Sequence, residues 1–313
     1  MTVERPQMTD RQAKLPAPLR GVVPPLATPL TDSGLLDVAG LQRLVEHVLT
    51  GGVSGLFIMG TTGEGPSLAH ALRGELIAET CRIVDGRAPV LVGVSDTSLS
   101  VSVSLAVKAG DCGAAAIVAT HPCYFKASQA DILQWVRLLA DRSPLPLFLY
   151  NIPGCTKLSF DPETVRAAAD IPGVVGIKDS CGDIEYFRRL AEALADKPDF
   201  SLMIGPDKLT AQAVMLGAHG AVSGGGNLFP EHYAALYEAA RAGDRDAVDR
   251  LQDKVVRIYD TIHHGIEDPA AYVKCLKCAL SCMGICGDAM APPLQSLSKS
   301  QKRIIAGNLR ELM

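Results

Sequence analysis

A chain of 313 residues, 48% hydrophobic and 20% charged, can bury a sizeable core as one large domain or two ordinary ones. Its net charge of −4 leaves no basic surplus for a run of phosphates, which argues against nucleic acid as a partner. No apolar run reaches the roughly 18 residues of a membrane span, residues 1–20 lack the apolar centre of a secretory signal, and nine cysteines without such a signal are expected as reduced thiols in a cytoplasmic protein.

After a flexible leader over residues 1–20, short apolar runs succeed one another. They are VVPPL at 22–26, GLFIM at 55–59, VLVGV at 90–94, AAIVA at 115–119, PLFLY at 146–150, VVGIK at 174–178, SLMIG at 201–205 and GAVSG at 220–224. Each is nearly continuously apolar rather than alternating, the pattern of parallel strands covered on both faces. Most of the intervening segments carry helical periodicity. LDVAGLQRLVEHVLTGG at 36–52 ends in a glycine pair suited to a C-cap, and SLAHALRGELIAETCRIVDG at 67–86 starts with Ser67 as its expected N-cap. Eight strand–helix units predict a (β/α)8 barrel over 21–227 better than an open doubly wound sheet, and no early GxGxxG appears. Residues 228–313 are expected as a C-terminal helical region that starts near Pro230 and whose last part follows Pro292 and Pro293.

In such a barrel the chemistry sits at the C-terminal ends of the strands. Those ends hold Thr61 and Thr62 after the second strand, His121 to Tyr124 after the fourth, Tyr150 and Asn151 at the fifth, and Lys178 and Asp179 at the sixth. Strand alternation places Lys178 on the face of Val174 and Gly176, with Gly176 leaving room beneath it. On an inward face desolvation disfavours the ammonium and makes a nucleophilic neutral amine accessible. The plainer alternative is a strand-end lysine that reaches water or pairs with Asp179. Tyr150 offers a phenol that can carry protons during imine formation, or a core or rim tyrosine. GTTGEG at 60–65 presents two hydroxyls and successive backbone N–H groups suited to a carboxylate, or an ordinary tight turn.

GTTGE at 60–64, YNIP at 150–153 and GIKD at 176–179, with GAHGAVSG at 217–224 at a fitting distance, resemble the dihydrodipicolinate synthase/N-acetylneuraminate lyase family. The likeness runs from residue 21 to about 295. It implies a class I aldolase in which Lys178 forms a Schiff base with pyruvate or a related 2-oxo acid and Tyr150 shuttles protons. It also implies substrate contacts at Thr61, Thr62, Gly63, Val222 and the Cys155 position, with no cofactor and no metal. It further implies a homotetramer, a dimer of dimers, in which Tyr124 is inserted by a neighbouring subunit to complete a Tyr–Thr–Tyr relay.

The family's synthases usually carry an arginine two residues after the Pro of YNxP, where it engages the carboxylate of the incoming aldehyde. Here that position is Cys155, and the nearby Lys157 does not reproduce a bidentate guanidinium. GTTGE is nearer the synthase form than the GSTGE of the sialic acid lyases. The expectation is an enzyme that cleaves or forms a 4-hydroxy-2-oxo acid or a 2-oxo-3-deoxy sugar acid, its partners a 2-oxo acid and an aldehyde. Dihydrodipicolinate synthesis from aspartate semialdehyde is the alternative, and a non-catalytic keto-acid-binding barrel is the rival of another class.

Three further features compete for attention. Cys275, Cys278, Cys282 and Cys286 have spacings that suit either an iron–sulfur ligand run or one apolar helix face, and the helix face is the simpler reading. Gly224, Gly225 and Gly226 suit either a barrel phosphate site or close approach of a substrate to the backbone. His121, His263 and His264 lack a third metal ligand and are expected to be packed or solvated.

Overall fold

The computed structural model describes residues 14–313. Its eight parallel strands are β1 (Gly21–Val22), β2 (Leu56–Ile58), β3 (Val90–Gly93), β4 (Ala116–Ala119), β5 (Leu147–Asn151), β6 (Val174–Asp179), β7 (Ser201–Ile204) and β8 (Gly220–Ala221), hydrogen-bonded in the order β1-β8-β7-β6-β5-β4-β3-β2. Between β1 and β2 the ring closes through single bonds: Ser54 N–H donates to the Val22 carbonyl at 2.8 Å, Phe57 N–H to Pro24 at 3.1 Å and Leu26 N–H to Phe57 at 2.8 Å. Pro24 and Pro25 have no N–H to donate, which limits the run expected as a full strand at 22–26 to a two-residue ladder. The architecture is a (β/α)8 barrel, as the eight apolar runs predict.

The helices are α1 (Val38–Thr50), α2 (His70–Val84), α3 (Leu99–Asp111), α4 (Gln129–Arg142), α5 (Pro153–Thr156), α6 (Pro162–Ala168), α7 (Ile184–Ala193), α8 (Thr210–Met215), α9 (Pro230–Ala242), α10 (Arg245–His263), α11 (Ala271–Cys282) and α12 (Lys299–Arg310). In α1 the Asp37 carboxylate caps Gly40 N–H, Leu41, Leu44, Val45 and Val48 form the buried stripe, and Gly52 at φ 81° turns the chain away. The helix expected from Ser67 begins three residues later. Ser67 closes a 3-10 turn over Gly65–Ser67, and Ala69 precedes α2 without any side-chain cap.

Strand residues sort into two layers. Val23, Phe57, Leu91, Ala116, Val118, Phe148, Tyr150, Met203 and Val222 fill the barrel, while the larger apolar layer lies between strands and helices. Of the leader expected over 1–20, residues 1–13 lie outside the described residues. Leu19 is buried at the N-terminal end of the strands, its N–H donating to Ser201 Oγ at 2.9 Å. Beyond β8, α9 rests on β1 and α8, α10 on α9, and α11 and α12 on α10. Among the described residues no helix is long and apolar enough to cross a membrane.

Candidate active site

Lys178 and Tyr150 face each other because β5 and β6 pair in a register that sets Tyr150 opposite Lys178 and Asn151 opposite Asp179. That register includes a shift, since Leu147 pairs with Val174 but Phe148 with Gly176. The shift breaks the alternation assumed from sequence. Val174 joins Ile177 in the outer layer, Val175 packs on the inner cluster, and only Gly176 keeps the inward side with Lys178. Nor is the space at Gly176 open, because a Cβ there would lie 2.5 Å from Phe148 Cε1. Gly176 admits the Phe148 ring.

Lys178 is 6% exposed. Its Nζ lies 4.2 Å from the centroid of the Tyr150 ring and 5.1 Å from that of Phe57, and the two rings meet edge to face at 6.2 Å. Asp179 points the other way. Its carboxylate accepts from Asn151 Nδ2 at 2.7 Å and from the Cys181 N–H and Sγ, each at 3.2 Å, and burial holds its pKa above the ordinary range against these donors. Asn151 Oδ1 in turn accepts from Phe160 N–H at 3.2 Å. The Asn151–Asp179 pair thus ties the two strand ends together behind the Tyr150–Lys178 pair, and the expected alternative of a Lys178–Asp179 ion pair is not formed.

The Tyr150 hydroxyl lies 3.3 Å from Thr61 Oγ1. Thr61, Thr62, Tyr150, Lys178 and Val222 line one cleft of about 510 Å³, which also takes in Tyr272. Cys155 lies in a neighbouring cleft of about 330 Å³ with His121, Arg73 and Asp96, the last two paired at 3.2 Å. The two clefts share Thr61, Tyr150 and Ile152, so Tyr150 stands on the wall between them. Gly63 lines neither. A Cβ there would lie 2.8 Å from the Leu26 carbonyl, and the Gly63 carbonyl accepts from Thr28 Oγ1 at 2.6 Å. Tyr124 also lines neither cleft of its own chain. It is 80% exposed, edge to face with Phe125 at 5.1 Å.

Several residues at this end of the barrel carried no motif. Asp207, after β7, is buried beneath the larger cleft, with Oδ2 accepting from the Tyr233 hydroxyl at 2.8 Å and from Gly225 N–H at 3.2 Å. Burial raises its pKa despite those donors. Tyr272, on α11, stacks on His263 at 5.7 Å, and its hydroxyl hydrogen-bonds the Thr62 side chain. The glycine run at 224–226 has its explanation here: a Cβ at Gly224 would lie 1.8 Å from the Tyr272 hydroxyl oxygen, and one at Gly225 1.8 Å from that of Tyr233. These glycines admit two tyrosines, so the space above them is not open to a phosphate.

Of the remaining candidates, His121 is buried between carbonyls, its Nε2 2.9 Å from Leu158 O and its Nδ1 3.0 Å from Pro122 O. Cys275, Cys278 and Cys286 pack in the apolar layer as small hydrophobes while Cys282 is exposed, and among the described residues no group of three His, Cys, Asp or Glu could hold a metal ion.

The dihydrodipicolinate synthetase family pattern matches residues 18–312. The chain belongs to that family. As a member it is a lyase of the aldolase kind. Across 285 residues it is 32% identical to the probable 2-dehydro-3-deoxy-D-pentonate aldolase of Escherichia coli, covering 90% of this chain and 93% of that one. A dihydrodipicolinate synthase structure from Bacteroides thetaiotaomicron is 48% identical and superposes with a TM-score of 0.92, covering 94% of this chain and 99% of that one. A prophage protein of the same family from Escherichia coli K12, in complex with pyruvate, is 29% identical with a TM-score of 0.88 over 94% of this chain and 98% of its own.

Proposed function

We propose that this enzyme is a Schiff-base aldolase that cleaves or forms a 4-hydroxy-2-oxo acid or a 2-oxo-3-deoxy sugar acid. The observation that carries the reading is the Tyr150–Lys178 pair, an amine buried against a phenol that itself lies within 3.3 Å of a threonine hydroxyl. In the reaction, Lys178 Nζ attacks the 2-oxo carbon, Tyr150 moves protons as water leaves, and a protonated imine results. Loss of a proton from C3 gives an enamine that adds to an aldehyde carbon. In the reverse direction the C3–C4 bond breaks, releasing the aldehyde and leaving the enamine, which is protonated and hydrolysed to pyruvate. The turn at 60–65, with the Thr61 and Thr62 hydroxyls, is the seat of the 2-oxo-acid carboxylate.

The decisive test is borohydride reduction in the presence of pyruvate. Pyruvate should add to the peptide that contains Lys178, and an adduct on another lysine, or none, overturns the mechanism.

Cys155 supports a neutral aldehyde partner. A charge-assisted bond of roughly 1.5–3 kcal/mol is missing for a carboxylated one, which corresponds to about one to two decades of specificity. The 48% identity to the Bacteroides thetaiotaomicron synthase favours the second reading, condensation with aspartate semialdehyde. Pyruvate release from a panel of 2-oxo-3-deoxy sugar acids, beside a condensation assay with aspartate semialdehyde, separates the two. We further take the enzyme to be cytoplasmic and a homotetramer whose Tyr124 loop enters a neighbouring subunit. Two adjacent exposed rings, Tyr124 and Phe125, support this, and sedimentation at assay concentration tests it.

A further inference from the structure

The turn at 59–65 is held in a conformation that its own residues resist. Met59 and Glu64, neither of them glycine, sit at φ 58° and 55°, in the left-handed region that L side chains rarely adopt. Gly65 is equally constrained, because a Cβ there would lie 2.1 Å from the Met59 carbonyl oxygen. Such a backbone persists only where its surroundings over-determine it.

Much of that constraint comes from outside the barrel strands. Lys277, on α11, donates to Glu64 Oε1 at 2.6 Å and also to the Ala289 carbonyl, while Ala291 N–H donates to Glu64 Oε2 at 2.7 Å. The side chains of this pair are 0% and 1% exposed. Five residues earlier on the same helix, Tyr272 reaches Thr62, its ring fixed by the stack on His263 and its hydroxyl accommodated over Gly224. One helix therefore grips the turn at two points, Thr62 and Glu64, on either side of Gly63. A buried ion pair is a weak device for stability, since well-packed apolar residues of similar volume serve as well or better. Its distinct property is directional geometry, and here that geometry ends on the turn that presents Thr61 and Thr62 to the cleft.

We infer that α11 is a positioning element of the 2-oxo-acid site, in which Tyr272 orients Thr62 and the Lys277–Glu64 pair fixes the turn that receives the carboxylate. The inference rests on the reading of that turn as the carboxylate seat. Burial raises the Tyr272 pKa well above its ordinary value, against the Thr62 hydrogen bond, which lowers it, so the phenol stays neutral beside Thr62. Substrate affinity is then set in part by residues at 272 and 277, some two hundred positions downstream of the turn they control.

The test measures the pyruvate concentration that half-saturates the borohydride-trapped adduct, in the full-length wild type, Tyr272→Phe and the double variant Glu64→Gln/Lys277→Met, with the melting temperature of each. Loss of one oriented hydroxyl should raise half-saturation about two- to tenfold in Tyr272→Phe, and loss of the pair should raise it at least as much, while melting temperatures stay close to wild type. A purely structural contact would lower the melting temperature and leave half-saturation in place. Should the double variant fail to fold, Tyr272→Phe alone decides. Unchanged half-saturation in the folded variants, with the adduct still on Lys178, overturns the inference and leaves the Schiff-base reading standing. No adduct in the wild type removes both.

Discussion

Two lysines are buried in this structure, Lys178 in the barrel and Lys277 on α11, and their surroundings differ in kind. Lys178, next to last in β6, lies among aromatic rings, and among the described residues no carboxylate pairs with it. Lys277 sits on α11 against Glu64 and a backbone carbonyl, so its charge is matched at close range. An amine facing ring faces and a cleft is available to attack a carbonyl. One locked into an ion pair and a backbone bond is available only to hold geometry. The contrast separates chemistry from scaffolding within one side-chain type, and substitution at each position should break the molecule in a different way.

The largest effect is expected at Lys178. Lys178→Met keeps the length and the packing but removes the nucleophile, so turnover should fall by about four orders of magnitude or more. Stability should stay within about 1 kcal/mol of wild type, because no buried acid is left without its partner. Steady-state assay with a sugar-acid substrate, beside chemical denaturation, checks both halves. Substantial residual activity would place the chemistry elsewhere.

How far the sequence discloses this contrast depends on the range of the contacts. The continuity of the apolar runs made the barrel legible, because both faces of a parallel strand are covered and the pattern is local. The pairing of Tyr150 with Lys178 was legible for the same reason, since both end adjacent strands. The face of Val174 was not legible, because the register shift beside Leu147 belongs to the pairing of two strands and leaves no mark on either one. Ser67 looked like an N-cap by residue type, but the strained turn before it continues into a 3-10 turn that includes it. Tyr272, Lys277 and Asp207 carried no motif at all. Their meaning comes from partners far away in the chain, as Glu64 and Lys277 are 213 residues apart.

Lys277 should show the reverse of Lys178. Lys277→Met leaves Glu64 buried without the ammonium and, among the described residues, with the Ala291 N–H as its remaining donor, so unfolding free energy should drop by about 3–5 kcal/mol. The double variant Glu64→Gln/Lys277→Met removes both charges and should recover most of that loss. Denaturant midpoints of the single and double variants measure the recovery. If both lose stability equally, the pair does not act as a unit and the contrast with Lys178 weakens to one of position alone.

The smallest effect concerns a buried acid that, unlike Glu64, pairs with no ammonium among the described residues. Asp207 is held by the Tyr233 hydroxyl, the Gly225 N–H, the Ser223 side chain and the Gly224 N–H, while the ammonium of the adjacent Lys208 goes to Asp260 at 2.5 Å. Burial dominates and raises its pKa, so the folded protein keeps this proton at pH values where the unfolded chain, with a carboxyl near 3.9, has released it. The sign follows from linkage: the unfolded state binds fewer protons in that interval, so this group's contribution is fully present below about pH 3.9 and is lost as pH rises through the folded value, with a limiting slope of about 1.4 kcal/mol per pH unit. The exposed Asp170 and the half-buried Asp268, whose pKa values are lowered first by lysine hydrogen bonds, act in the opposite sense, so the wild-type curve alone mixes the two. Asp207→Asn isolates the term. The Tyr233 hydroxyl and the Gly225 N–H both end on Oδ2, where an amide oxygen can accept them while the titrating proton is removed. Denaturation of both proteins from pH 4 upward should show the wild type losing ground to Asp207→Asn as pH increases. Parallel curves across the range would mean that Asp207 is ionised in the fold, matched by its hydrogen-bond donors as fully as Glu64 is by Lys277.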